Sequence, residues 1–295
     1  MPDNLPQAVA APPPAFFALP GHGVLELAGP DAATFAQAQC MNDVAALDDG
    51  RWQWNGWLTP KGRLVALFAL LRLDGERLWL VLPDHPAAAL GERLQRFVFR
   101  SRLRIRVRDD LQAAGAFAAP ERAAGATAAM LGRDAVELDL GADGGPRCLR
   151  IAPAADASAP ADPRAEARWR AFDLVHGLPR LPQPQSEQFT PQMLSLQRLR
   201  AFSVRKGCYP GQEIVARTHF LGQSKRGLAL LASERPIPDG AEVGDGSRAL
   251  GTIVGTARDG NNHLALAVLP HERAHDLYVE GHLVRETPLH EGLAR

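Results

Sequence analysis

Hydrophobic and polar positions follow two periods along the first three quarters of this chain, and a pattern of short runs takes over after Arg226. A short apolar run from Gly23 to Leu27 leads into Gly29-Pro30-Asp31. Asp31 is placed to cap a helix carrying Ala32, Phe35, Ala36 and Ala38, because a carboxylate accepts the free N–H groups of a first turn. Arg63–Leu73 and Glu76–Leu82 flank Asp74-Gly75, the dipeptide that suits the primed turns of a β-hairpin. Asp84 is expected to cap a helix running to Phe99 with Leu90, Leu94, Phe97 and Val98 on one face. Strict alternation follows: Leu103, Ile105 and Val107 between Arg102, Arg104, Arg106 and Arg108 predict a half-buried strand with a cationic outer face.

Residues 135–140 and 147–151 predict two more strands, and Trp169, Phe172, Leu174 and Val175 a helix ending near Gly177 and Pro179. Beyond Arg226, the runs Gly227–Leu231, Leu250–Thr256, His263–Leu269 and Leu277–Val284 are split by turns, as in a small β-barrel or sandwich. The pattern therefore predicts a mixed α+β region followed by an all-β C-terminal domain. Residues 1–14, rich in Pro and Ala, read as a disordered leader, 15–225 as the α+β region with a flexible connection near 153–163, and 226–295 as the barrel.

Composition narrows the function classes. A chain of 295 residues suggests two domains at ~150 residues each. Its 33 basic and 33 acidic residues cancel, which argues against a protein whose main task is to coat nucleic acid or an anionic membrane. Three widely spaced cysteines, Cys40, Cys148 and Cys208, with no C-x-x-C pair, fit neither a disulfide scaffold nor a closed zinc site. The start lacks the basic and apolar regions of a secretory signal, and Leu64–Leu71 falls short of the ~20 residues that span a bilayer. A soluble cytoplasmic protein is expected.

The stretch richest in chemistry is Lys206-Gly207-Cys208-Tyr209-Pro210-Gly211-Gln212-Glu213. A type II turn explains Pro210-Gly211, and a helix starting at Gln212 would turn free N–H groups toward the sulfur. Arg205 and Lys206 add positive charge beside Cys208, the condition that favours a thiolate. The alternative is an inert cysteine in a turn, and these residues by themselves leave both open. Glu213 and Arg217, four apart, suit a surface ion pair. Trp52, Trp54 and Trp57 suit either core or stacking on a flat ligand, and Trp169 has the same two uses. Lys61-Gly62-Arg63 lacks the rest of a P-loop, and His271 and His275 lack a third ligand, so no metal site is expected.

Extended to Lys206–Arg217, KGCYPGQEIVAR resembles the signature of the YgfZ family, folate-binding proteins similar to the glycine cleavage T-protein, an aminomethyltransferase. Phe189-Thr190-Pro191-Gln192, Leu221-Gly222 and Lys225-Arg226 resemble its flanking segments, and Gly29-Pro30-Asp31, Asn42-Asp43 and Lys61-Gly62-Arg63 stand in the family's order.

The resemblance implies an α+β T-protein-like fold: two interlocked α+β domains and a C-terminal β-barrel, ringed around a central channel that takes tetrahydrofolate. It implies a role in assembly or repair of iron–sulfur clusters in client enzymes, with an indirect effect on tRNA modification, that depends on Cys208. Folate contacts would fall to Trp169, Lys206, Tyr209, Gln212, Glu213, Arg217, Asn42 and Asp43. The implied partners are folate and iron–sulfur client proteins or assembly machinery; neither a membrane nor direct nucleic-acid contact is expected.

Two positions depart from that pattern: His22 stands where the family has a second tryptophan, and Val175 where the T-protein has a pterin-binding glutamate. Valine cannot hydrogen-bond a pterin edge. Three separated cysteines also predict no permanent cluster. The alternatives are a true aminomethyltransferase, for which Asp110 is the candidate carboxylate, and a tRNA-binding module using the Arg102–Arg108 face. Whether the chain is an enzyme stays open at this point.

Overall fold

The computed structural model describes residues 15–156, 159–222 and 224–295; the expected leader and the middle of the 153–163 connection lie outside them. Two antiparallel five-stranded sheets and a closed barrel make up the fold. Strand β1 (Phe17–Ala18) belongs to the second sheet, although the chain next builds the first: β2 (His22–Ala28), β3 (Arg51–Leu58), β4 (Leu64–Asp74), β5 (Arg77–Pro83) and β6 (Arg104–Val107), in the order β3-β4-β5-β2-β6. The second sheet is completed by β7 (Leu111–Ala116), β8 (Ala129–Gly132), β9 (Ala135–Asp139) and β10 (Cys148–Pro153), in the order β1-β7-β10-β9-β8. That exchange of the first strand is what interlocks the two halves.

The expected hairpin forms at Asp74-Gly75, with Asp74 opposite Arg77. Its strands read as nearly continuous apolar runs because both faces are covered. Along β4, Ala66, Phe68 and Leu70 face one core with α1 (Ala32–Gln39) and α2 (Ala87–Gln95); Leu67, Ala69 and Leu71 face the other. That second core joins both sheets to the barrel and to α3 (Pro163–Val175), which the Asp162 carboxylate caps by accepting from Arg164 N and Ala165 N.

Two expected caps are placed otherwise. Asp31 makes no cap bond; its carboxylate accepts from the backbone and guanidinium of Arg102, tying the helix start to the strand edge. Asp84 sits at φ 59°, with Pro86 as the N-cap of α2, and turns inward to Arg170 and Arg180. The helix ends at Gln95, so Phe97 lies past it and packs edge-on to Trp57 at 5.8 Å. The cationic outer face of β6 is also shorter than the alternation predicted. Arg104 and Arg106 are exposed, but Arg108 is buried, bonded to Glu26 and Asp110.

The barrel comprises β11 (Arg226–Ser233), β12 (Glu242–Gly244), β13 (Ala249–Asp259), β14 (Asn262–Pro270), β15 (Leu277–Val279) and β16 (His282–Thr287). The run Leu277–Val284 is thus two strands, split by a turn at Glu280-Gly281 where both residues have positive φ. After the barrel the chain returns: Leu293 O accepts from the Trp54 indole, and Arg295 lies over Trp52 at 5.4 Å. Among the described residues no helix is long and apolar enough to cross a membrane.

Candidate functional site: a braced thiol loop and a filled centre

The signature forms a loop into α4 (Gln212–Phe220). Gly211 has φ 79° and ψ 2°, and Gln212 N donates to Tyr209 O at 3.2 Å, the type II turn that Pro210-Gly211 predicts. Only glycine fits there. A Cβ on Gly211 would lie 2.5 Å from Thr59 O, and one on Gly62 (φ 69°) 2.7 Å from Ile214 Cβ. The Lys61-Gly62-Arg63 turn therefore exists to let α4 close against the end of β3, which no nucleotide motif requires.

Lys206 turns inward. Its buried ammonium donates to the carbonyls of Gln37 (2.5 Å), Cys40 (2.6 Å) and Asn42 (3.0 Å). Gln37 and Cys40 end α1, where carbonyls lack helical partners and the dipole favours a cation. Burial lowers the Lys206 pKa to about 8, with Cys40 and Asp43 opposing the shift, so the group is still predominantly an ammonium at neutral pH.

The other expected contacts are braces too. The Tyr209 hydroxyl donates to Ser203 O at 3.2 Å, and burial pushes its pKa up to about 12. Gln212 Nε2 donates to Lys206 O. Asn42 Nδ2 donates to Trp54 O and Arg200 O, while Asn42 Oδ1 accepts from Asp43 N. Asp43 Oδ1 accepts from Gln37 Nε2. Ser203, which the sequence did not single out, accepts from Arg205 N and Lys206 N and donates its own N–H to Met41 O. Asn42, Asp43, Lys206, Tyr209 and Gln212 thus come together as one scaffold, with Cys208 at its exposed tip. Cys40 and Cys148 are buried, and burial raises both thiols to about 12. The two are therefore held as inert thiols, and Cys208 alone is open to a reaction partner. Glu213 and Arg217 lie exposed on α4, yet no ion pair joins them among the described residues.

Trp169 stands apart from this scaffold, 1% exposed in the core between the sheets. The Arg147 guanidinium lies 4.3 Å over its ring, Phe17 and Phe117 meet its edges, and a Cβ on Gly115 would lie 3.0 Å from its six-membered ring. Arg147 is fully buried; its Nη1 donates to Asp173 Oδ1 at 2.8 Å. Arg180 takes Asp173 Oδ2 at 3.1 Å and Asp84 at 2.8 Å, and Arg170 reaches Asp84 at 2.5 Å. Three guanidinium groups thus share two carboxylates. Arg147 Nη2 and His22 Nδ1 have no partner among the described residues. Burial first, then the charges of Arg180, Arg147 and Arg170, keeps the His22 imidazole well below the ordinary histidine range.

The cavity lined by His22, Trp54, Trp169 and Asp173 measures about 20 Å³, room for one water. A folate does not fit beside Trp169 in this arrangement: the ring is covered by Arg147, the carboxylate is engaged by two guanidinium groups, and Val175 offers no hydrogen bond. Asp110, the candidate aminomethyltransferase carboxylate, is likewise committed. It binds Arg108 at 2.7 and 2.9 Å, the first cause of its pKa falling to about 2, and it is exposed at the sheet edge.

The fold defines the class. The chain is similar to the glycine cleavage system aminomethyltransferase T from Bartonella henselae, with a TM-score of 0.68 at 14% identity, covering 95% of this chain and 87% of that one. Among curated proteins it is 30% identical to the tRNA-modifying protein YgfZ of Cronobacter sakazakii, over 95% of each chain. It is 29% identical to that of Klebsiella pneumoniae, over 91% of this chain and 88% of that one. The chain belongs to the YgfZ family, within the aminomethyltransferase fold. No family model matches it.

Proposed function

We propose that this protein supports the assembly or repair of iron–sulfur clusters in client enzymes, and through them tRNA modification, with Cys208 as the working group. One observation carries this: of three cysteines, only Cys208 is exposed, and it is held out by a loop whose Lys206, Tyr209 and Gln212 side chains are spent on bracing it. An exposed thiol on a rigid support can ligate iron transiently, or its thiolate can attack the outer sulfur of a persulfide on another protein, taking that sulfur as its own persulfide and releasing the donor's thiolate. The relatives' name, tRNA-modifying protein, supports the tRNA half of the reading.

The alternatives have less support. Asp110 is locked to Arg108 at the exposed sheet edge, which disfavours aminomethyl transfer. Of the arginines on the β6 face, Arg102 is tied to Asp31 and Arg108 is buried, leaving too short a cationic row for a tRNA surface there. Tetrahydrofolate, which the fold implies, enters only if Arg147 leaves Trp169, so no chemical step is assigned to it.

The test is Cys208→Ala in a strain lacking its own copy. Activity of iron–sulfur enzymes and the level of tRNA thiolation are expected to stay at the deletion-strain value, with the variant folded and abundant. Restoration to the wild-type level would refute the role of Cys208.

A further inference from the structure

Helix α4 is unusual in what it turns outward. Val215 is its buried side chain, while Ile214, Phe220 and the C-capping Leu221 are 38%, 66% and 82% exposed. These are three of the seven large hydrophobic residues exposed among the described residues. Ile214, Arg217 and Leu221 follow at i, i+3 and i+7, so they share one face, and Phe220 stands beside them. Exposed apolar groups clustered this way mark a binding surface more often than scattered ones do.

Two further features say what kind of partner fits. The cations around this face lack carboxylates: Lys61, next to the glycine that abuts Ile214, Arg217 on α4 and Lys225 beyond it are all exposed, and none is within 4.0 Å of an acidic group among the described residues. Glu213 is the one acidic side chain on the helix itself. Along the inner side of α4 runs an open groove of about 410 Å³, lined by Thr218, His219, Gln192, Phe202 and His271. Gln192, at the groove wall, is fixed to the helix by its Nε2, which donates to Val215 O.

We propose that the outer face of α4 and the adjoining groove dock a polypeptide segment of the client protein, acidic and carrying bulky apolar side chains. Its apolar groups cover Ile214, Phe220 and Leu221. Its carboxylates meet Lys61, Arg217 and Lys225. This rests on the reading of Cys208 as a group that works on another protein: the thiol lies just ahead of the same helix, so a segment seated there is delivered beside it. Phosphate-rich partners suit the cations but leave the aliphatic groups without a counterpart.

The direct test pans a random peptide display library against the full chain and against the double variant F220E/L221E, whose changes are at exposed positions. Enriched peptides are expected to combine Asp or Glu with Leu, Ile or Phe, to bind the wild type more weakly as salt rises, and to lose at least tenfold in affinity for the double variant. Failure to enrich, basic consensus peptides, or equal affinity for both proteins would overturn the proposal. So would a wild-type dimer that the double variant abolishes, or binding of unmodified tRNA or phosphatidylglycerol vesicles that F220E/L221E abolishes while no peptide is enriched. In cells, F220E/L221E is expected to lower iron–sulfur enzyme activity. If it complements fully while Cys208→Ala does not, docking falls and the thiol role stands; if Cys208→Ala also complements, the thiol role itself falls.

Discussion

The buried centre around Trp169 and the exposed loop around Cys208 use the same kinds of groups to opposite ends. Both hold a cation against an aromatic ring: Arg147 over Trp169 at 4.3 Å, Lys206 over Tyr209 at 5.1 Å. In the centre, the cation fills the space in which a flat ligand would sit, and the result is a closed core. In the loop, the cation is withdrawn beneath the surface to hold three carbonyls, and the result is an exposed thiol on a rigid base. Likeness of residue types thus says little about which site is open. What differs is the direction in which the backbone presents them.

The contrast can be broken most forcefully at Arg147. Arg147→Met leaves Asp173 with one guanidinium in a buried site, and a loss of about 3–5 kcal/mol is expected in urea denaturation. A loss under about 1 kcal/mol would mean the centre is wetter and looser than this arrangement. The smaller Arg147→Ser also vacates one face of Trp169. It is expected to bind tetrahydrofolate more tightly than the wild type, measured by calorimetry; wild-type binding as tight as the variant's would show that Arg147 does not close the site.

Lys206→Met comes next, with an expected cost of about 2 kcal/mol from unmade bonds to three carbonyls, and with reduced complementation although Cys208 is intact. Its pH dependence has a definite sign. The folded pKa is about 8, below the usual 10.5, so between these values the unfolded chain holds more protons. The wild type should therefore gain stability relative to Lys206→Met as pH rises from 8 to 10.5, and lose that gain as pH falls back through 8. A difference that stays flat across this window in urea midpoints would show that the lysine is not desolvated.

Gly62→Ala places a Cβ against Ile214 at a positive φ, and about 1–2 kcal/mol is expected. Smallest of all is Cys208→Ala: within about 0.5 kcal/mol of wild type, since the side chain is exposed. A large destabilisation there would turn the thiol into a packing residue and erase the contrast between the two regions.

Much of this architecture is legible without coordinates. The Asp74-Gly75 hairpin, the turn at Pro210-Gly211 and the start of α4 follow from local chemistry, which acts over a few residues and is written there. The motif was legible as a motif, but the roles inside it were not. Lys206 beside Cys208 in sequence suggests a cation beside a thiol, whereas its Nζ binds carbonyls more than 160 residues away. Arg147 carried no sequence signal, because a lone arginine after a Gly-Gly-Pro turn reads as surface. Asp31 and Asp84 look like caps by spacing, and distant arginines took both carboxylates.

The sequence by itself determined the α+β region, the C-terminal barrel strands, the family signature and the place of Cys208 within it. The tertiary structure decided that this cysteine is the exposed one, that Lys206, Tyr209 and Gln212 brace its loop, and that Trp169 lies beneath a guanidinium. The physical reason is range. Turn and strand preferences are settled by neighbours along the chain, while burial and charge pairing depend on which distant segments the fold brings into contact.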